Sequence, residues 1–410
     1  MSGPMQGVRV VELAQFTFVP ASGGVLADWG ADVIKVEHVE TGDSQRALVN
    51  IMGLDKFTET EFFPIMEGPN RGKRSIGLDL ESAGGRKVLE ALLKTADVFV
   101  TNFREATRKK LNLDVADIRA INPKIIYFRG TGQGVRGADG PSGGYDQTSF
   151  WARSGIANAV TPRSFDRMIP QPTGAFGDNM GGMTIAGGIA AALYKRAITG
   201  EPSVIDVSLL STGMWVASYG INHSLLLGES LPPMDPPQNG SARNPLSGGP
   251  YRTKDGRFIQ MGMLQPGRYW PEVLGRLGRQ DLVDDERFND AQKIMDNSAE
   301  AAVLLAEIIS EITLEEWREA MKGAQGQWAL IQNFLEAGND PQARDNGYIR
   351  TVTDHTGVKR ELVSNPVQFD ETPPDITRAP QFAEHTDEIL REIGIDDEEL
   401  IELKIAGAVT

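Results

Sequence analysis

One carboxylate stands alone in the stretch Thr173–Gly182, "TGAFGDNMGG", where Asp178 lies among four glycines and three apolar residues. The residues that follow, "MTIAGGIAAALYKRA", have the composition of an apolar helix. Aspartate is a favoured N-cap, so helix capping is one interpretation of Asp178. The other is nucleophilic attack: a helix N-terminus keeps a carboxylate ionised, and flanking glycines let a bulky reactant approach. The two roles are compatible.

Three other patterns lack the context that their chemistry needs. The stretch "GQGVRG" (132–137) matches a dinucleotide fingerprint, but "ADGPSGG" follows it and cannot start the required helix. The stretch "GPSGG" (140–144) matches a nucleophile elbow without the flanking strand and helix. The histidines lack metal-ligand spacing; they are His38, His223, His355 and His385. We therefore predict no dinucleotide site, no serine nucleophile and no metal site.

Composition excludes further classes of function. The formal net charge is −15, from 41 basic and 56 acidic residues, which disfavours a nucleic-acid partner. The absence of cysteine excludes disulfides, thiolate nucleophiles and cysteine metal sites. The first residues lack a charged-then-apolar leader, and the longest apolar run is far shorter than the ~20 residues that span a bilayer. We expect a soluble cytoplasmic protein that does not bind membranes.

The elements that must position Asp178 alternate between strand and helix. Strands are predicted at 8–13, 31–38, 97–103, 124–130 and 204–210, and helices at 82–96, 116–123 and 180–197. This alternation predicts an α/β fold with a parallel, doubly wound sheet. Residues 226–335 begin with a proline- and glycine-rich segment and continue with a hairpin and helices, which indicates a smaller α+β domain. The large domain would comprise 1–225 together with 336–410.

Blocks over nearly the whole chain resemble the class III coenzyme A transferases, the CaiB/BaiF group. They run in family order from about residue 6 to residue 400: "GVRVVEL", "LADWGADVIKVE", "NRGKRSIGLDL", "ADVFVTNF", "TGAFGD", "GGIAAALYKR" and "RAPQFAEHTDEILREIGI". The resemblance implies a Rossmann-like large domain, a smaller inserted domain and an interlocked homodimer. It also places the family's catalytic aspartate at Asp178. The implied reaction moves CoA between carboxylates through an aspartyl anhydride and an aspartyl-CoA thioester.

The resemblance assigns residues to coenzyme A and acyl-CoA, which are substrates, and implies no tightly bound cofactor. The matching positions are His38, Leu78, Asn102, Phe103, Arg104, Lys110, Tyr145 and Asp146. Gln15, Gly248 and Gly249 are expected near the reacting groups, the two glycines in a closing loop, "LSGGP" (246–250). His38 and Lys110 stand where many members have arginine, and Glu81 stands where relatives often have lysine.

Two other functions remain open. Acyl-CoA racemases share the fold, and the resemblance gives them a histidine and a glutamate where this chain has Tyr145 and Gln265. Because a racemase needs two groups that exchange protons, we favour transfer. The third hypothesis is a non-catalytic protein that binds CoA esters. The stretch "YDQTSFWARSGI" (145–156) resembles the branch that acts on bulky or aryl 2-hydroxy acids and bile acids, with Phe150 and Trp151 in an acyl pocket or in the core.

Overall fold

The computed structural model describes residues 3–51, 53, 60–232 and 243–410. The chain divides into two compact units. The first contains Met1–Ala159, Met168–Leu231 and Pro341–Thr410, and the second contains Val160–Arg167 and Pro232–Asp340. The junctions therefore lie about five residues beyond those expected at 225/226 and 335/336, and the second unit also includes a short segment from the first half.

The first unit contains most of the elements. Its strands are β1 (Arg9–Leu13), β2 (Asp32–His38), β3 (Arg74–Leu78), β4 (Val98–Thr101), β5 (Ile126–Thr131) and β6 (Val204–Ser208). Its helices up to β6 are α1 (Phe18–Asp28), α2 (Ser44–Ile51), α3 (Pro64–Asn70), α4 (Ala83–Thr95), α5 (Glu105–Lys110), α6 (Val115–Ile121), α7 (Ile156–Val160) and α8 (Phe176–Thr199), with a π-helix at Asp146–Ala152. After β6 come α9 (Leu209–Val216) and α10 (Ser218–Leu227).

The six strands form one parallel sheet in the order β3-β2-β1-β4-β5-β6. Val10 pairs with Val33 on one side and with Val98 on the other, both in parallel register. The predicted parallel sheet is thus confirmed, and β3 is a strand that the sequence analysis did not predict. The strand order reverses between β1 and β4, and ligands of such sheets bind beyond the carboxyl ends of the strands at this point.

Helices cover both faces of this sheet because its strands are apolar on both sides. One core combines Val11 and Ile34 with α4 and with the chain's last helices, α18 (Thr386–Glu392) and α19 (Asp397–Ile405). The other combines Val10 and Val98 with α1 and α8. Burying each such side chain contributes roughly 1.5–3 kcal/mol before entropy is counted. Both ends of the chain therefore build the first unit.

Glycines bring α8 against its neighbours. A Cβ on Gly181 would lie 2.2 Å from the Phe18 ring of α1, and one on Gly182 would lie 2.6 Å from the Ala21 Cβ. A Cβ on Gly177 would lie 2.2 Å from the Phe150 ring. Since no side chain fits these gaps, these glycines fix where the first turns of α8 lie.

The remaining elements follow residue 232. In the second unit, β7 (Pro250–Arg252), β8 (Phe258–Met261) and β9 (Trp328–Leu330) form an antiparallel sheet. Its helices are α11 (Pro266–Arg276), α12 (Gln280–Val283), α13 (Ala291–Asp296), α14 (Ser298–Ser310), α15 (Leu314–Ala320) and α16 (Phe334–Gly338). The chain re-enters the first unit with α17 (Pro341–Asp345), β10 (Ile349–Thr353) and β11 (Lys359–Val363). Within the described ranges, no helix has both the length and the apolar character to cross a membrane.

Candidate active site

Asp178 is the third residue of α8, and Ala175 occupies the N-cap position in a left-handed conformation with φ 59°. The capping interpretation of Asp178 is therefore wrong. The carboxyl is partly buried and lines a cavity of about 930 Å³, called here the larger cavity. Burial, followed by the charge of Asp146, raises the pKa of Asp178 to about 7. Both effects favour the protonated acid and therefore oppose the helix N-terminus, which was expected to keep this carboxylate ionised.

Asp146 supplies the cap instead. It is the first residue of the π-helix, and its carboxylate accepts a hydrogen bond from the Gly177 backbone N–H at 3.0 Å. Its other oxygen accepts from the Gln171 side-chain amide at 2.5 Å. Burial raises the pKa of Asp146, while Gln171 and the amides of the first turn of α8 oppose that rise. The two carboxyls thus share one helix end.

The larger cavity gathers most of the residues that the sequence analysis assigned near the thioester. They come from the loops after β1 and β4 and from the segment before the π-helix: Gln15, Asn102, Phe103, Arg104, Tyr145 and Asp146, with Asp178. This location is the switch point of the sheet, as expected for a ligand site.

The loop after β1 is held in an uncommon conformation. Gln15 donates its N–H to Asn102 Oδ1 at 3.0 Å and accepts from Asn102 Nδ2 at 2.6 Å. Phe16 has φ 64°, a left-handed value that costs energy for a residue with a side chain, and its N–H donates to Asp43 at 3.0 Å. The Phe16 ring meets the Tyr145 ring edge-on, 5.7 Å between centroids. The side chain of Asn102 therefore positions this loop.

Two buried lysines bind backbone carbonyls on either side of the same loop. Lys35 Nζ lies 2.8 Å from Asp43 Oδ2 and donates to the Ala14 carbonyl at 3.0 Å. Lys73 Nζ lies 2.6 Å from Glu12 Oε1 and donates to the Pro20 carbonyl at 2.8 Å. Both lysine side chains and the Glu12 side chain are fully buried. Sequence reasoning missed this network, although a lysine between apolar strand residues in "VIKVE" is a signal for it.

A smaller cavity of about 490 Å³ lies beside the first. His38 and Leu78 line it, and Gln15 and Phe103 line both cavities. Lys110 is not among the residues that line either cavity, and it forms an ion pair with Glu81 at 2.5 Å. Glu81 itself lines the smaller cavity, so Lys110 borders that cavity through its ion-pair partner.

Comparisons with known proteins fit this geometry. Residues 5–386 match the family model of CoA-transferase family III. The chain belongs to CoA-transferase family III. It is 33% identical over 400 residues to a cinnamoyl-CoA:phenyllactate CoA-transferase of Clostridium sporogenes, covering 97% of this chain and 95% of that protein. It is 30% identical over 407 residues to a (R)-2-hydroxy-4-methylpentanoate CoA-transferase of Clostridioides difficile, covering 99% of each.

The family also includes another activity. A human alpha-methylacyl-CoA racemase is 30% identical over 408 residues, covering 97% of this chain and 96% of that protein. Among solved structures, a CAIB/BAIF family protein from Brucella suis matches with a TM-score of 0.78 and 29% identity, covering 96% of this chain and all of that one. The α/β fold and membership of a family of CoA-transferring enzymes are thereby established.

Three arginines that the sequence analysis did not name also line the larger cavity. Arg108 binds Asp114 at 2.8 Å and is buried, whereas Arg129 pairs with Asp206. Arg136 also lines the cavity and is exposed. Arg129 stands at the carboxyl end of β5, so the general rule for ligand sites in parallel sheets could have found it.

Other assigned residues lie away from this cavity or in the second unit. Phe150 and Trp151 are buried in the core beside α1 and α8, and neither is among the residues lining the described cavities. Gly248 and Gly249 belong to the second unit, where the Leu246 carbonyl accepts from the Met263 N–H at 3.1 Å. Gln265, also of that unit, is the N-cap residue of α11.

Proposed function

We propose that this enzyme transfers CoA from an acyl-CoA donor to a carboxylic acid acceptor, with Asp178 as the nucleophile. The observation that carries the proposal is the position of Asp178: its carboxyl lies in the first turn of α8 and lines a cavity large enough for an acyl-pantetheine group. Its raised pKa supports this role, because a more basic carboxylate is a stronger nucleophile once ionised.

The proposed reaction has four steps. An oxygen of Asp178 attacks the thioester carbonyl and the C–S bond breaks. CoA thiolate is released, and Asp178 and the donor acyl group form a mixed anhydride. The thiolate then attacks the Asp178 carbonyl, which releases the donor acid and leaves an aspartyl-CoA thioester. The acceptor carboxylate attacks that thioester and expels the thiolate, forming a second anhydride. The thiolate finally attacks the acceptor carbonyl, so that the new acyl-CoA forms and the Asp178 carboxylate returns.

Each step develops negative charge on a carbonyl oxygen and has to exclude water. We propose that backbone N–H groups around the cavity stabilise this oxyanion by hydrogen bonds. We assign the closing function to the loop that contains Gly248 and Gly249. These assignments come from the family resemblance and the chemistry.

The two cavities support a path for coenzyme A. Because Gln15 and Phe103 line both, we place the nucleotide end in the smaller cavity with His38 and Leu78. The pantetheine then runs into the larger cavity past Tyr145 toward Asp178, and Arg104, next to Phe103, contacts the nucleotide end. We assign Lys110 to a phosphate, which would have to displace Glu81 from it.

We further propose a homodimer, interlocked as in the family, located in the cytoplasm. Large apolar side chains on α9 and α10 support an interface: Trp215, Tyr219, Leu225 and Leu226 are 76–82% exposed. Large apolar side chains that are exposed together on neighbouring helices are typical of interaction sites. The acceptor class that we favour is a bulky or aryl 2-hydroxy acid, as in the names of the two clostridial relatives.

Substitution and trapping test the nucleophile. We expect Asp178→Ala and Asp178→Asn to lose transfer while they keep the fold and CoA binding. Donor acyl-CoA with hydroxylamine should modify Asp178 and no other carboxylate, as read by mass spectrometry. A variant that retains a tenth of the wild-type activity contradicts the assignment. A donor-by-acceptor screen, read by product mass, then names the acids.

Racemisation is the second candidate, favoured by the identity to the human racemase and by the adjacent carboxyls Asp146 and Asp178. A racemase must exchange the C2 proton, whereas transfer stays at the carbonyl. We expect no deuterium at C2 when the protein is incubated with a 2-methylacyl-CoA in deuterated water. Rapid exchange that survives Asp178→Ala overturns transfer. Binding of CoA esters without exchange or transfer would leave a non-catalytic binding protein.

A further inference from the structure

Gln171 lies between two acceptors and lacks a donor. Its Nε2 donates to Asp146 Oδ2 at 2.5 Å and to the Thr173 carbonyl at 2.7 Å. Its Oε1 is buried, and no hydrogen-bond partner for it exists among the described residues. Since both neighbours accept, only one orientation of the amide fits. A buried oxygen without a partner is unfavourable, so the contact with Asp146 is made at the expense of stability.

Asp146 depends on this contact for its charge. One of its oxygens is held by Gln171 and the other by the Gly177 N–H. Its side chain is almost fully buried, and burial favours the neutral acid. Each hydrogen bond that it accepts favours the ionised form instead. Gln171 is therefore, together with the amides of the first turn of α8, a group that favours the charged form of a buried carboxylate beside Asp178.

The other elements packed against α8 do not supply a comparable charge. On α1 the charged residue is Asp28, at the far end of that helix and paired with Arg71. On β5 and β6, Arg129 and Asp206 neutralise each other. Helix α9, "LLSTGMWV", has no charged residue. Among the described residues, Asp146 on the π-helix is thus the charged group that acts on Asp178.

We propose that Gln171 is a positioning residue that keeps Asp146 ionised, so that Asp178 holds the proton in the free enzyme and is the more reactive carboxylate once ionised. This inference depends on the proposed role of Asp178 as nucleophile. Without the amide donor, Asp146 takes up a proton, and its charge no longer acts on Asp178. Asp178 then ionises at lower pH and attacks the thioester more slowly.

The first experiment measures ionisation without using activity. The protein is labelled with carbon-13 at the aspartate side-chain carboxyl, and the Asp178 resonance is identified by its loss in Asp178→Asn. In Gln171→Met, which has nearly the same shape, we expect the titration midpoint of Asp178 to fall by about one pH unit. The matched control is Gln133→Met, because Gln133 donates to Ser149 of the same π-helix at 2.8 Å. We expect the control to leave the midpoint unchanged.

A double variant tests whether Gln171 acts on Asp178 through Asp146. In an Asp146→Asn background the charge is already absent, so Gln171→Met should produce no further shift. An unchanged midpoint in Gln171→Met, or an equal shift in both backgrounds, overturns the inference. If Gln171→Met does not fold, Gln171→Leu provides the same comparison.

The last experiment separates this inference from the proposed function. The rate of hydroxylamine-trapped acylation at Asp178 is measured against pH in a single turnover. In Gln171→Met the acid limb should move down with the midpoint, and the plateau rate should fall roughly threefold, because nucleophilicity follows pKa with a Brønsted slope of about half. Wild-type protein that is never acylated at Asp178 contradicts the proposed function, whereas the titration still decides the role of Gln171. Acylation with an unmoved acid limb contradicts the role of Gln171 alone.

Discussion

Replacing the proposed nucleophile should make the protein more stable. In the folded chain the pKa of Asp178 is about 7 instead of 3.8, because burial and Asp146 disfavour the charged form. Below the unfolded pKa both states hold the proton, and the carboxyl costs nothing. As pH rises, the unfolded chain ionises first, so stability falls until the folded pKa is passed. Asp178→Asn removes this loss.

The structure sets the magnitude. A difference of about three units corresponds to about 4 kcal/mol as an upper bound, at 1.36 kcal/mol per unit. Asp178 is only partly buried, and water reaches it through the cavity. Because this water screens the charge, we halve the upper bound. We therefore expect the free energy of unfolding of Asp178→Asn to exceed that of wild type by about 2 kcal/mol at about pH 8. The difference should fall below about 0.5 kcal/mol at about pH 4.

Urea unfolding across this pH range, at one fixed protomer concentration, measures the effect. The control is Glu201→Gln, which replaces an exposed carboxylate just beyond the end of α8. Parallel stability curves for wild type and Asp178→Asn would refute the reasoning, since they would show that Asp178 is not desolvated in the folded protein.

Two further predictions concern packing and binding. Gly181→Ala should lower the free energy of unfolding by about 1–3 kcal/mol, because its Cβ would overlap the Phe18 ring, whereas Gly187→Ala, in open space on the same helix, should raise it by about 0.5–1 kcal/mol. Both are read by urea unfolding, and equal effects would contradict the packing account. Arg104→Ala and Lys110→Ala should each raise KM for CoA esters more than for pantetheine thioesters, because both are assigned to the nucleotide end of coenzyme A. Equal losses with both kinds of thioester would make Arg104 structural.

Local patterns were enough to predict the frame of the first unit. Strands β1, β2, β4, β5 and β6 are short apolar runs bounded by turns, and the alternation with helices allows one connectivity class. Strand β3 was not predicted because Lys73 directly precedes it and Arg74 is its first residue, in "GKRSIGL". Asp178 stood out since a lone charge among glycines is rare in an apolar helix.

What could not be predicted depends on residues far apart in the chain. The cap of α8 comes from Asp146, 31 residues before the Gly177 that it binds. Lys73 meets Glu12 across 61 residues. Neither contact leaves a periodic signal, because Lys73 lies just before β3 and its partner Glu12 lies on β1. The helix start was likewise misplaced because Ala175, not an ordinary capping residue, precedes it.

The glycine contacts between α8 and α1 have a consequence for how the reaction would proceed in time. The first turns of α8 contact their neighbours through glycines, so the helix cannot move closer to them. The position of Asp178 is therefore fixed. Donor acyl group, CoA sulfur and acceptor acid would have to reach that point in turn. On the proposed mechanism, the order of events is then imposed by space. The moving part would be the flexible pantetheine arm, whose sulfur has to withdraw and return twice in each cycle.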